Sequence, residues 1–357
     1  MSLPFDVLEQ VVSHLSDSGQ TLLALCHVSR DTYSLARPAL YRFVELGPRS
    51  VFRTFLDNIA REPSLGRHVL SFVMQSELEN NDLSLVIRVL GTMVNLRHLD
   101  VRCLDSVIRQ DVGVLDVIKG LLHLRSITVS TGRSSSYVRV FTRLPAMRAV
   151  NVDGNLGYYQ VKVFDELLLR SVTSLERLRI MGYYNFSDLL KGHSDLRWES
   201  VRDLEIRLIP ESMEPTSLQV AHAFPSVERL DLTLSAAPAT RLMSDPTLFP
   251  HVRDMTVRVE RERVPRPAAH LVPGRRTVEH LTMHLSDAAP SLKLFADVFQ
   301  WQALRSLQLH AGWIFDETIA VLNLCSGLYY LSLTVQSTAL GFRRGVSTWP
   351  PSGEIID

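Results

Sequence analysis

Cysteine is scarce in this chain. Its 357 residues include three, Cys26, Cys103 and Cys325, all far apart. A zinc-bound RING needs many Cys and His ligands at short spacing, so none is expected. So few thiols point to a reducing compartment, and hence to a cytoplasmic or nuclear protein. Long apolar runs are missing too, with no stretch of about 18 residues or more, so no membrane span is expected. The opening Met1-Ser2-Leu3-Pro4-Phe5-Asp6 lacks a basic region and turns polar at once, unlike a signal peptide. Neither charge sign is in excess, with 38 basic and 38 acidic residues. A general nucleic-acid binder needs a net basic surface, so that class is not expected. Gly-rich phosphate loops are lacking, as are G-x-S-x-G and H-E-x-x-H, so no catalytic residue, cofactor or metal is expected.

What the chain does have is apolar content, 46%, arranged in a recurring phrase. Its clearest form is Leu304-Arg305-Ser306-Leu307-Gln308-Leu309, apolar at positions one, four and six. The phrase starts at Val69, Leu96, Leu124, Met147, Leu175, Val201, Val227, Val252, Val278, Leu304 and Leu328, at steps of 23 to 28 residues. A period of about 20–29 residues with this phrase resembles leucine-rich repeats. Each unit is then one short strand, a turn, and a returning helix or irregular segment. Helical returns are expected at 83–90, 112–122, 164–172, 292–299 and 317–324. Period-two alternation turns positions one, four and six inward, and strands of successive units pair in parallel. The array is a degenerate one: the turn-satisfying asparagine is found at Asn155 but missing from most units. Between 260 and 276 three prolines and five arginines predict a loop, and after Val335 Gly341, Pro350 and Pro351 predict an irregular tail.

The first 45 residues do not fit the repeat. Leu8, Val11, Val12 and Leu15 form one helical stripe, Leu22, Leu25 and Val28 a second, and Tyr33 and Ala36 lie on a third short helix that Pro38 closes. Helices this short bury too little to be robust alone. Leu3-Pro4-x-Asp6-Val7-Leu8, then Leu15, then Leu22-x-x-Leu25-x-x-Val28-Ser29-Arg30, then Ala36-x-Pro38-x-Leu40-Tyr41, resembles an F-box. Ser29 departs from the cysteine that many members carry there. The resemblance implies an adaptor-binding segment, with Leu3, Pro4, Leu8, Leu15, Leu22, Leu25, Val28, Pro38 and Leu40 divided between the adaptor interface and the segment's own core. It implies as partners a Skp-type adaptor of the SCF ubiquitin ligase and, through it, cullin. The expected fold is α/β: a three-helix F-box (1–45), a linker helix (46–66), a right-handed leucine-rich-repeat solenoid with a parallel sheet on its concave face (67–336), and a tail (337–357).

Positions three, five and seven of each phrase face outward on the concave side. The units from Leu175 to Val252 place most of the charge there, and both signs alternate. The candidate substrate-binding residues are Arg177, Arg179, Asp203, Glu205, Arg207, Arg229, Asp231, Asp254, Arg258, His280 and His284. One reading is a self-neutralised, solvated ladder; the other is a recognition strip in which arginines meet acidic or phosphorylated groups. His280 and His284 lie about 13 Å apart along one strand, too far to share a metal. His310 on the next unit falls near His284, but two histidines without a third ligand are not expected to hold one. The expected function is a non-enzymatic substrate receptor of an SCF-type ligase. The rivals are a ligase-independent interaction scaffold, with the first segment only a cap, and an enzyme concealed in the array.

Overall fold

The computed structural model describes residues 4–15, 18–47, 49–74, 82–101, 104–130, 138–154, 156, 158–182, 184, 186–193, 195–207, 214–234, 247–259, 277–285, 303–311, 327–335 and 347–348. The chain forms two compact units, Met1–Ser174 and Leu175–Asp357.

The first unit opens with helices α1 (Phe5–His14), α2 (Gly19–Leu25) and α3 (Arg30–Leu40). Val12, Leu22, Ala36 and Ala39 form their buried core, with Leu15, Leu25, Leu35 and Leu40 packed against it. Ser29 starts α3 through a capping box: its hydroxyl accepts from the Thr32 amide at 3.1 Å, and the Thr32 hydroxyl accepts from the Ser29 amide at 2.9 Å. Two expectations are corrected here. Pro38 does not end the third helix but sits inside its last turn. There a proline forfeits a single backbone bond and its φ already suits a helix. Val28 lies beyond α2, not on its stripe.

Five parallel strands follow in chain order: β1 (Phe43–Leu46), β2 (Ser71–Met74), β3 (His98–Val101), β4 (Ser126–Ser130) and β5 (Ala149–Asp153). Helices α4 (Arg49–Arg61), α5 (Leu83–Thr92), α6 (Leu104–Gln110), α7 (Val114–Gly120), α8 (Val138–Arg143) and α9 (Tyr158–Arg170) lie between the strands or after β5. Strand β1 is a further rung, ahead of the eleven phrases. Tyr41-Arg42-Phe43-Val44-Glu45-Leu46 is itself a phrase, 28 residues before Val69. The segment resembling an F-box therefore shares its last residues with the first rung. Aromatic packing joins them, with Tyr41, Phe55 and Phe72 in sequence at ring distances of 6.0 Å. Arg37 of α3 also grips Glu62, just past α4, with two guanidinium nitrogens.

The second unit repeats the pattern with β6 (Arg177–Ile180), β7 (Asp203–Arg207), β8 (Arg229–Leu234), β9 (Asp254–Val259), β10 (His280–Leu285), β11 (Ser306–Ala311) and β12 (Tyr330–Val335), all parallel in chain order. Helices α10 (Phe186–Gly192) and α11 (Glu214–Ala223) stand between its early strands. Beneath them Trp198 stacks on Phe224 at 4.9 Å, and Phe186 meets Phe224 edge-on at 5.8 Å. A two-residue strand, β13 (Ser347–Thr348), returns antiparallel to β12. The tail is therefore not wholly irregular, and β12 is not the last strand of its sheet. The expected loop at 260–276 and the helical returns at 292–299 and 317–324 lie outside the described residues.

Every one of the eleven phrases yields a strand beginning at its third position. Positions four and six are buried from Phe72 and Met74 through to Leu307 and Leu309. Each such side chain contributes about 1.5–3 kcal/mol of burial, largely offset by the entropy of ordering the chain. Register is set by backbone. Within each unit the amides of positions two and three both donate to the position-two carbonyl of the rung before, as with Arg125 and Ser126 to Arg97 at 2.8 and 2.9 Å. Equal phrase positions therefore stand side by side and form columns.

Candidate functional site

On the three helices the structure divides the candidate residues. Leu22 is 1% exposed and belongs to the core, so its role is packing. Leu8, Leu15, Leu25, Pro38 and Leu40 are half-buried, Pro4 is exposed, and Val28 is 70% exposed. Leu3 lies outside the described residues. The exposed apolar side chains go beyond those candidates, because Phe5, Val7, Val11, Leu23 and Tyr33 are also open to solvent. Helical spacing alone did not separate them from the core. Val11 and Val12 are neighbours in one stripe, yet only Val12 is buried.

In the second unit the columns bring the charged candidates together. At position three Arg177 Nε lies 2.9 Å from Asp203, and Arg229 reaches both Asp203 at 3.9 Å and Asp254 at 3.8 Å. At position five Arg179 Nε lies 2.8 Å from Glu205, and Arg258 crosses from position seven to pair with Asp231. Arg207 occupies position seven of β7. Glu205 and Asp231 face each other in register. Burial pushes both carboxyls above their usual range; Arg179 opposes this for Glu205, and Arg258 for Asp231. Described pairs thus cross three successive strand junctions. Exposed pairs of this kind contribute about 0–1 kcal/mol each. They fix where each charge sits, so an incoming acid must displace an internal carboxylate to reach an arginine.

His284 and His310 stack face to face, ring centres 4.2 Å apart and planes 6° apart. Burial lowers the His284 pKa to about 4, aided by His310 and Arg258, and burial also lowers that of His310. His280 sits at position three of the same strand as His284, in register with Asp254 and Ser306. Among the described residues no group of three or more His, Cys, Asp or Glu is placed to hold a metal ion. No described helix is long and apolar enough to cross a membrane. In the first unit the same face carries mostly small polar side chains, and His98 Nδ1 lies 2.8 Å from the Ser126 hydroxyl. No protein-family model matches this chain, and no curated protein matches it.

Proposed function

We propose that the chain is the substrate-recognition subunit of an SCF-type ubiquitin ligase. In this reading α1–α3 act as an F-box that docks a Skp-type adaptor and, through it, cullin, while the strand array holds a protein substrate. The observation that carries the reading is the open apolar face of α1–α3. Phe5, Val7, Val11, Leu23, Val28 and Tyr33 are exposed around a core of four buried residues. So many large apolar side chains left open on so small a body favour a protein contact. The junction suits the task as well. The first rung begins where α3 ends, and the aromatic row and the Arg37–Glu62 bond hold the helices to the start of the sheet. A receptor of this kind carries its adaptor site and its cargo site on one chain. Its contribution is proximity, and the bond-making belongs to its partners. The charged columns of β6–β9 are the proposed cargo surface, with no cofactor.

The test uses exposed positions, so that the small core is untouched. Full-length chain is mixed with purified Skp-type adaptor and recovered by affinity pull-down. Phe5→Asp with Val28→Asp is expected to cut adaptor recovery by about tenfold or more with unchanged circular dichroism. Equal recovery by wild type and variant removes the receptor reading and leaves a ligase-independent scaffold.

A further inference from the structure

The leading edge of the strands in the first unit has a chemistry that the outward columns do not. Position two of successive phrases carries Arg97, Arg125 and Arg148. Backbone bonds place them on adjacent rungs: Arg125 N donates to Arg97 O at 2.8 Å, and Arg148 N to Arg125 O at 2.7 Å. All three are exposed. Among the described residues no carboxylate pairs with the side chain of Arg97 or Arg125. The last turns of α7 and α8 bring Lys119 and Arg143 to the same end of the layer. No Asp or Glu stands at position two or in the two residues before the phrase in any of these three units.

Apolar side chains are interleaved with this charge. Met93–Leu96 and Leu121–Leu124 are equivalent tight turns, closed by amide-to-carbonyl bonds of 2.9 and 3.0 Å. Each presents its second residue outward: Val94, 48% exposed, and Leu122, 82% exposed. Stacked like charges repel, and an exposed leucine gains nothing from water. Both features are relieved by one kind of occupant, a chain that brings carboxylates and aliphatic groups together. The second unit is a built-in contrast. Its position-two column reads Glu176, Arg202, Glu228, Arg253, Glu279 and Arg305, and Arg202 lies 3.5 Å from Glu228. That edge neutralises itself, whereas Arg97 and Arg125 stand on adjacent rungs with no described carboxylate between them.

We infer that the leading edge of β3 and β4 is a docking surface for an acidic polypeptide segment that carries aliphatic side chains. Arg97 and Arg125 receive its carboxylates, and Val94 and Leu122 its apolar groups. Nucleic acid fits less well, because no aromatic side chain stands among these edge residues to stack bases. A lipid surface fits less well, because two aliphatic side chains bury little area in a bilayer. The inference does not rest on the receptor reading, since it uses neither α1–α3 nor the charged columns of β6–β9.

Fluorescence anisotropy on the full chain tests it. The probes are a labelled peptide alternating Glu and Leu, a poly-glutamate peptide of equal length, a single-stranded DNA, and vesicles containing phosphatidylserine. The Glu-Leu peptide is expected to bind saturably and to weaken about tenfold as salt rises from about 50 to about 300 mM. Arg97→Glu with Arg125→Glu is expected to weaken it about tenfold or more, and Leu122→Ser about threefold, while Arg253→Glu with Arg305→Glu changes nothing. All these positions are exposed, and unchanged circular dichroism certifies the fold. Equal binding by wild type and the edge variant overturns the inference. So does tighter binding of DNA, vesicles or poly-glutamate than of the Glu-Leu peptide.

Discussion

The two units share one phrase and differ in what they place between its apolar positions. The first puts mostly small polar groups on the outward columns and stacks Arg97 beside Arg125 on the leading edge. The second alternates charge along its leading edge and on the outward columns of β6–β9. In each the inward residues are interchangeable apolar side chains, so the backbone does not register the difference. The lesson is that fold and chemistry are written in separate positions of one phrase. The apolar positions settle the packing, and everything between them is free to specialise.

Three perturbations sharpen or break that comparison. The largest effects belong to the shared layer. Trp198→Ala in the second unit and Phe164→Ala in the first each remove a fully buried aromatic, one stacked on Phe224 and the other 5.3 Å from Phe141. Both should lose about 3–5 kcal/mol, read as lowered amide protection of the strands in their own unit. A cost under about 1 kcal/mol at either site would mean that the units do not rest on the same kind of packing. Next come the charges. Arg258→Glu sets a third carboxylate beside Asp231 and Glu205, and should cost about 1–2 kcal/mol by urea titration. The same reversal at Arg125, which has no described acidic partner, should stay within about 0.5 kcal/mol. Equal costs would erase the distinction between a paired ladder and an unpaired edge.

The smallest effect concerns pH. Folded His284 titrates near 4 against an ordinary 6.5, so it stays neutral while the unfolded chain takes up a proton. Its contribution is fully present above pH 6.5 and is lost as pH falls towards 4. Solvent screening limits the loss to about 1 kcal/mol. The raised carboxyls of Glu205 and Asp231 act in the opposite sense, since acidification relieves their buried charge. The thermal midpoint at pH 7.5 and 5.0 should therefore fall less in His284→Gln than in wild type. Superimposable profiles would show that the stacked histidines are too wet to matter.

Much of this was legible in the residues, for a physical reason. A strand repeated at near-constant spacing has one way to bury its apolar alternation, so each of the eleven phrases contains the start of a strand. The cross-strand charge pairs were legible too, because parallel register sets equal phrase positions side by side. Other features were hidden by competing signals. The rung at Tyr41 escaped because its first residue also fits the end of a helical motif. Pro38 looked like a stop, yet its fixed φ suits a helix and α3 runs two residues past it. Val28 sat at helical spacing but fell past the end of α2. The stacking of His284 on His310 depends on burial, which spacing does not encode. The basic edge was missed because position two looked like filler between inward residues.

The doubled backbone bond between successive rungs of each unit has an evolutionary consequence. Each rung is located by main-chain atoms alone, so no side chain is needed to say where the next begins. Small insertions or deletions fall in the returning segment and leave the columns in line, as the drift in spacing already shows. A lineage can exchange outward letters one at a time, and alter what the surface grips, without having to solve the folding problem again.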